Sequence, residues 1–322
     1  MSDKDLFLGI DTSNYTTSAA LCDVDGNVIL NLKKLLPVKA GERGLRQSDA
    51  LFAHTKNLPE IMQGLKSFLD DGYRENKIIA VGCSATPRDV EGSYMPCFLS
   101  GVAVSESICA AVGCEQYSFS HQNGHVMASL YSSKMISLID GEMPFAAFHV
   151  SGGTTELLLI TPHKDSFMVE QIGGTVDMNA GQAIDRTGVL MGLRFPCGRE
   201  MEKICADFPY RKSKVSVKGL ECNLSGLENL AAKLYAQTGD RAATSALCFD
   251  FIADTLTELS HNLREVYADI PIVFAGGVMS NERIAKRLSL LGNAYFSEPE
   301  FSADNAAGIA LLTRRAHMAK IK

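Results

Sequence analysis

The chain has 322 residues, 46% hydrophobic and 21% charged, with 31 lysines and arginines against 37 aspartates and glutamates, a net charge of −6 with histidine neutral. At roughly 150 residues per domain that is about two domains. The balance excludes a surface basic throughout, and no apolar run approaches the roughly 20 residues of a membrane helix.

The elements follow in chain order. "LFLGI" reads as a short strand, "DTSNYTTS" as a polar turn, "AALCDV" as a second strand, and "DGN" as a hairpin turn signal. "LFAHTKNLPEIMQGLKSFLDD" has apolar residues at helical spacing with Gly72 just past its end; "KIIAVGCSA" reads as a buried strand. "PCFLSGVAVSESICAAVG" reads as a helix of small residues ending near Gly113. "PFAAFHV", "SGGTT" and "ELLLITP" then repeat the strand, polar loop, strand pattern of the opening, which points to an internal duplication of fold. "AGQAIDRTGVLMGL" is helical up to the break "RFPCG", and residues from about 200 to 265 read as mostly helical with a polar gap near "SKVSVKGLECNLSG". "PIVFAGGVMSNERIAKRL" closes the series as strand, glycine turn, helix. Strands alternating with helices make this an α/β protein.

Nine cysteines with no C-x-x-C indicate reduced thiols, and the start "MSDKDLFLGI" does not read as a secretory signal. The expectation is a cytoplasmic protein with no membrane association. The densest basic run, "PYRKSKVSVKG" with Arg211, Lys212, Lys214 and Lys218, reads alone as a solvated loop on an acidic body.

No P-loop, G-x-G-x-x-G or G-x-S-x-G is present. "SHQNGH" places His121 and His125 four residues apart, so on a helix they share one face, one turn apart. That spacing suits two imidazole nitrogens on one cation; the alternative is two histidines that pack or cap. Gln122 follows His121, so a zinc peptidase of the H-E-x-x-H type lacks its general base. "SADNAAGIA" offers a third ligand in Asp304, at a polar turn before a helix, and two histidines with one carboxylate suit Fe2+, with zinc or manganese as alternatives. In "HVSGGTTE" and "FAGGVMSN", paired glycines end a strand, where backbone N–H groups can approach an oxyanion. Asp185 and Asn281 then become candidates for gripping a ribose and a base.

Taken in order, "GIDTSNYTTSAA", "SHQNGH", "FHVSGGTTELLLI", "GGTVDMNAGQAIDRTGVLMGLRFPCG", "LSGL", "FAGGVMSN" and "SADNAAGIA" resemble the tRNA adenosine threonylcarbamoyltransferase family, within the actin-like ATPase superfamily. The resemblance spans nearly the whole chain. It implies two actin-like (ribonuclease H-like) lobes around a nucleotide cleft: residues 1–118 plus a C-terminal helix at about 305–322, and residues 119–304 with a helical insertion at about 200–265. It places metal ligands on His121, His125 and Asp304, and substrate or nucleotide contacts on His149, Val150, Ser151, Gly152, Gly153, Asp185, Gly198 and Asn281. Members pass an acyl group from threonylcarbamoyl adenylate to the exocyclic amine of an adenine in tRNA. The implied cofactors are one divalent metal and an adenine nucleotide; the implied partners are tRNA, a related subunit and an ATPase.

The sequence departs from the family in several places. Asn123 replaces a glutamate inside the histidine motif, and Thr154 replaces a histidine after the paired glycines. Asn14, Tyr15 and Thr16 stand where acidic residues are usual, "ATPRDVEGSYMPC" replaces a Gly-Pro-Gly-Leu stretch, and Glu228 replaces a lysine. Arg88, in the altered stretch, reads first as a solvated loop arginine, with bidentate pairing to a substrate carboxylate as the alternative. The expected function is carbamoyl transfer to tRNA adenosine, with an altered donor or acceptor or a non-catalytic partner subunit as the alternative.

Overall fold

The computed structural model of the chain describes residues 2–13, 15–37, 45–164, 166–302 and 305–321. Two compact units divide it: Met1–Glu142 with Pro162–Val169 and Ala303–Lys322, and Met143–Thr161 with Glu170–Ser302.

The first unit begins with β1 (Asp5–Ser13), β2 (Thr16–Cys22) and β3 (Val28–Leu35), an antiparallel meander. The polar stretch "DTSNYTTS" is mostly strand, with only residues 14 and 15 between β1 and β2. Asp11, Thr12, Ser13, Thr16, Thr17 and Ser18 are all buried, and the turn expected from their polarity is a paired ladder, Asp11 opposite Ser18 and Thr12 opposite Thr17. β-branched threonines suit a pleated surface, and buried hydroxyls persist where partners exist. Helix α1 (Gln47–Gly72) follows, then β4 (Lys77–Thr86), α2 (Leu99–Val112), β5 (Glu115–Ser120) and α3 (His121–Ser132). Gly113 ends α2 in the left-handed region, at φ 72°. The sheet order is β3-β2-β1-β4-β5, with β4 parallel to both β1 and β5.

The second unit contains β6 (Phe145–Val150), β7 (Thr155–His163) up to Thr161 and β8 (Ser166–Thr175) from Glu170, then α4 (Ala180–Leu190) and α5 (Gly198–Ile204). The polar gap is a small antiparallel pair, β9 (Ser216–Lys218) and β10 (Glu221–Asn223), ahead of α6 (Ser225–Thr238) and α7 (Arg241–Tyr267). It continues with β11 (Ile272–Ala275), α8 (Glu282–Leu288), β12 (Ala294–Phe296) and α9 (Pro299–Ser302). The second sheet runs β12-β11-β6-β7-β8-β10-β9. From β8 to β12 it repeats the first sheet strand for strand, a hairpin-led meander with two parallel strands added beside its first member. Its core gathers Phe148, Phe249 and Phe274, all without exposure.

Helix α10 (Ala307–Ile321) returns to the first unit. A Cβ at Gly9 would lie 2.3 Å from the Ala310 nitrogen, and one at Gly308 only 1.9 Å from the Gly124 carbonyl oxygen. Glycine at both places lets α10 touch β1 and α3 backbone to backbone. That contact draws α3 into the first unit, which runs to residue 142 before the second begins.

Candidate functional site

His121 opens α3 and His125 follows one turn later, as their spacing predicts; Ser120 caps the helix, its hydroxyl accepting from the Asn123 N–H at 3.1 Å. The two Nε2 atoms face each other at 2.9 Å with ring centroids 4.3 Å apart. Two nitrogens bound at ~2.1 Å to one cation and at a right angle would lie about 3 Å apart, so the pair fits a metal as well as it fits a shared proton. Behind His121, Asp11 has no solvent exposure, and its Oδ1 lies 3.1 Å from His121 Nδ1. The Ser13 hydroxyl donates to the same carboxylate at 2.8 Å, and that of Ser84 donates as well. A carboxylate on Nδ1 keeps that nitrogen protonated and leaves the Nε2 lone pair for a cation, the usual support of a metal-binding histidine. Sequence reasoning missed Asp11 because it sits among hydroxyl residues that resemble a turn. Asp304, the third expected ligand, lies outside the described residues, and no set of three His, Cys, Asp or Glu is found among those described.

Two of the departures from the family pattern are one physical feature. The altered stretch is tied to α3 by the Gln122 N–H on the Pro87 carbonyl, at 3.1 Å, and by Asn123 Nδ2 on Asp89 Oδ2, at 2.5 Å. Asn123 is 4% exposed, so a glutamate there would press a buried carboxylate against that of Asp89. The Arg88 N–H is taken by the Ser93 hydroxyl at 3.1 Å, within the same loop.

In the second unit, β6 delivers His149 and Val150 to the "SGGTT" turn. A Cβ at Gly181, the second residue of α4, would lie 2.6 Å from the Gly152 Cα, and one at Gly276 would meet the Val150 carbonyl at 2.2 Å. The turn, the start of α4 and the "AGG" turn after β11 therefore converge because glycines let them. Gly152 and Gly153 are exposed, with open space where a side chain would be. The Ser151 hydroxyl accepts from the Gly153 and Thr154 N–H groups at 3.2 and 3.1 Å and pairs with the Thr154 hydroxyl at 2.9 Å. The turn thus closes on itself, and an anion would reach those two donors by displacing the serine hydroxyl.

Asp185 and Asn281 each hold backbone. Asp185 Oδ1 accepts the Cys197 N–H at 2.8 Å, which sets the residue before Gly198 and α5; burial pushes its carboxyl up, and the Cys197 N–H works against this. Asn281, 7% exposed, caps α8 through the Ile284 N–H at 3.0 Å. Glu228 finds Arg186 at 2.9 Å. A further anchor not foreseen is Asp177, which accepts the Leu224 and Ser225 N–H groups at 2.8 and 3.1 Å at the start of α6; burial works against its charged form, yet these bonds and the Ser225 hydroxyl hold its carboxyl well below the usual range.

Two sheets of one strand order, with a paired-histidine helix in one unit and glycine turns at the strand ends of the other, define a duplicated α/β fold of the actin-like, ribonuclease H-related class. Residues 34–311 match the family described as TsaD, tRNA N6-adenosine threonylcarbamoyltransferase, and the chain belongs to that family. Among solved structures, component A of the (R)-2-hydroxyglutaryl-CoA dehydratase of Acidaminococcus fermentans is similar at 12% identity over 97% of this chain and 99% of its own, with a TM-score of 0.53. HypF of T. kodakarensis is similar at 11% identity over 98% of this chain, with a TM-score of 0.55, and full-length HypF in its phosphate- and nucleotide-bound form at 13% over 97%, with a TM-score of 0.58. The chain spans about half of those two HypF chains, 48% and 46%. At these identities the likeness concerns the fold. Among the described residues no helix is long and apolar enough to cross a membrane.

Proposed function

We infer that the protein transfers a threonylcarbamoyl group, or a related carbamoyl group, from a nucleotide-activated donor to an adenosine of tRNA. Family membership supports the reaction class. The single observation that carries the metal assignment is the facing Nε2 pair of His121 and His125 with Asp11 behind it. His121, His125 and Asp304 are the proposed ligands of a divalent cation, Fe2+ or Zn2+, which when bound would polarise the acyl carbonyl as a Lewis acid. Asp11 keeps His121 in the tautomer that presents Nε2. His149 to Gly153 receive the adenylate, with the Gly153 and Thr154 amides turning to its phosphate once the Ser151 hydroxyl moves aside. Asp185 accepts from the ribose hydroxyls, and Gly198 and Asn281 border the base. In the transfer the N6 amine attacks the carbamoyl carbon, an N–C bond forms, the C–O bond to the adenylate phosphate breaks, AMP leaves and the amine loses one proton. A related subunit and an ATPase are the proposed assembly partners, and the cytoplasm is the proposed compartment.

A second reading is favoured by the loop at Thr154, whose hydroxyl closes the glycine turn on Ser151. On that reading the protein is a non-catalytic nucleotide-binding subunit of a transferase. Purified protein given threonylcarbamoyl adenylate and unmodified tRNA separates the two. Transfer that disappears in His121→Ala supports the enzyme; tight nucleotide binding without transfer supports the subunit. Elemental analysis tests the ligands: bound metal is expected to be lost on changing either histidine, and undiminished occupancy would count against the assignment.

A further inference from the structure

The basic run that reads as a loose loop is held rigidly. Asp250 and Asp254 of α7 are 2% and 5% exposed, and besides pairing with Arg283 and Arg287 each accepts from this segment. Asp250 accepts the Arg211 N–H at 3.0 Å; Asp254 accepts the Ser213 N–H at 2.7 Å and the Tyr210 hydroxyl at 2.5 Å. From there the chain alternates. Ser213, Val215 and Val217 are half-buried, the two valines against the core of the second unit, while Lys212, Lys214, Ser216 and Lys218 are exposed. Extended backbone returns to one side every two residues, about 6.7 Å. Three lysines therefore project on one solvent side, in a row that ends on β9, the edge strand of its sheet. The ion pairs of this region go to Arg283 with Asp250 and Arg287 with Asp254; among the described residues the three lysines and Arg211 enter none. Glu221, opposite Lys218 in the hairpin, is the acid facing the row.

Two residues before Lys212, Tyr210 lines a cavity of about 490 Å³ together with Phe208, Lys286, Arg287, Glu202 and Glu282 among others. Tyr210 is 43% exposed, and the Arg287 guanidinium lies 4.9 Å from its ring centroid. Arg211 lies over the Phe208 ring at 5.5 Å. Two glutamates stand in its wall, and of its three cations Arg283 and Arg287 are already paired with Asp250 and Asp254, so the cavity is a poor phosphate pocket, whereas a neutral base carrying donors and acceptors meets a stacking face and both kinds of partner. The phosphates belong outside, on the lysines. A cationic track beside aromatic platforms is how single strands are bound, with sequence-tolerant stacking.

The geometry points to a single-stranded RNA platform on the second unit: backbone phosphates along Lys212, Lys214 and Lys218, and an unstacked base against Tyr210 in the adjoining cavity. It rests on the tRNA reading above for the choice of RNA as the occupant, and it adds the surface that grips it.

The test uses the full chain, a fluorescein-labelled unstructured oligoribonucleotide, its duplex, a tRNA transcript and phosphatidylglycerol vesicles. Replacing Lys212 and Lys214 by Glu and Lys218 by Gln, all exposed positions and none setting a like charge against Glu221, should leave the far-UV spectrum and melting midpoint unchanged. Affinity for the single strand and the tRNA should fall at least about tenfold, with the log–log salt slope shallower by about 2, near 0.7 for each phosphate no longer neutralised. Tyr210→Ala should weaken binding about five- to hundredfold, and Tyr210→Phe, which keeps the ring, should stay near wild type. Unchanged affinity and slope in the lysine variant, duplex bound as tightly as single strand, or binding to vesicles in place of RNA would each overturn the platform. The transferase reading fails separately: RNA held by the row but never acylated removes that reading and keeps the platform, and transfer that persists with undiminished RNA affinity in the lysine variant does the reverse.

Discussion

Asp11 lies on the middle strand of its sheet, sealed from solvent, and receives two serine hydroxyls besides His121. Removing it takes away the acceptor that fixes the imidazole. Asp11→Ala is expected to lower metal affinity by about 10- to 100-fold, the usual effect of losing a carboxylate behind a metal-binding histidine. Asp11→Asn is expected to do similar damage, because an amide can turn its NH2 toward Nδ1 and favour the wrong tautomer; ring 15N shifts of His121 read this directly in metal-free protein. His54 is a sealed histidine of the same unit, 0% exposed, with Nδ1 at 2.9 Å from the Thr17 hydroxyl. Burial lowers its pKa from 6.5, against the pull of Asp11 and the Ser13 backbone. The folded state then resists the proton that the unfolded chain takes up below about pH 6.5, so stability is full above that pH and falls as pH drops through it, by at most about 1.4 kcal/mol per unit. Melting midpoints from pH 7 to 5 should decline less steeply in His54→Leu than in wild type. Neither residue advertised itself. Asp11 is surrounded by Thr and Ser, whose polarity suggests a turn, and His54 sits at an ordinary helical position of α1; their burial depends on strands and helices far apart in sequence. The histidine pair was legible because its geometry is set within one helical turn.

At the level of elements, the loop that replaces Gly-Pro-Gly-Leu and the helix that carries the histidines are one adapted pair. Asn123→Glu alone should destabilise the protein by about 1–3 kcal/mol, by burying a carboxylate at residue 123 and setting it against the exposed one of Asp89. Adding Asp89→Asn should return much of that loss, and a double-mutant cycle by chemical denaturation measures the coupling. Additive losses would show the two sites to be independent. Both changes were visible in the sequence as separate departures, yet nothing in their spacing linked residue 89 to residue 123. The strand, glycine turn, strand units were readable because each needs only a local apolar run and its punctuation. Strand order was not, since β4 reaches β1 across α1, and β11 reaches β6 across the helices α4 to α7. The "SKVSVKG" gap misled for a related reason: its valines alternate with lysines, a strand signal too short to outweigh the glycine and serines around it. Asp185 and Asn281 stand out in the sequence as ligand grips, and their visible work is to fix backbone at the start of α5 and α8.

For the whole molecule, the repeated strand order makes the two halves variants of one design, and only the second carries the long helical addition of α6 and α7. That duplication was legible from the recurrence of pattern, while the family was legible only from motifs taken together and in order. The first unit is the discontinuous one, and α10 completes it with Ala307 to Thr313 buried. A chain ending at residue 302 is expected to lose protease resistance across residues 5–132 and to keep it across α7 and the second sheet; equal protection of both regions would contradict this. The glycine contact between α3 and α10 has a temporal counterpart. On the ribosome, the histidines emerge some 180 residues before the helix that buttresses them. The second unit has its sheet in hand earlier, so the later-made half matures first. On the proposed metal reading, a chain not yet extended through α10 would offer no buttressed histidine pair to scavenge stray ions.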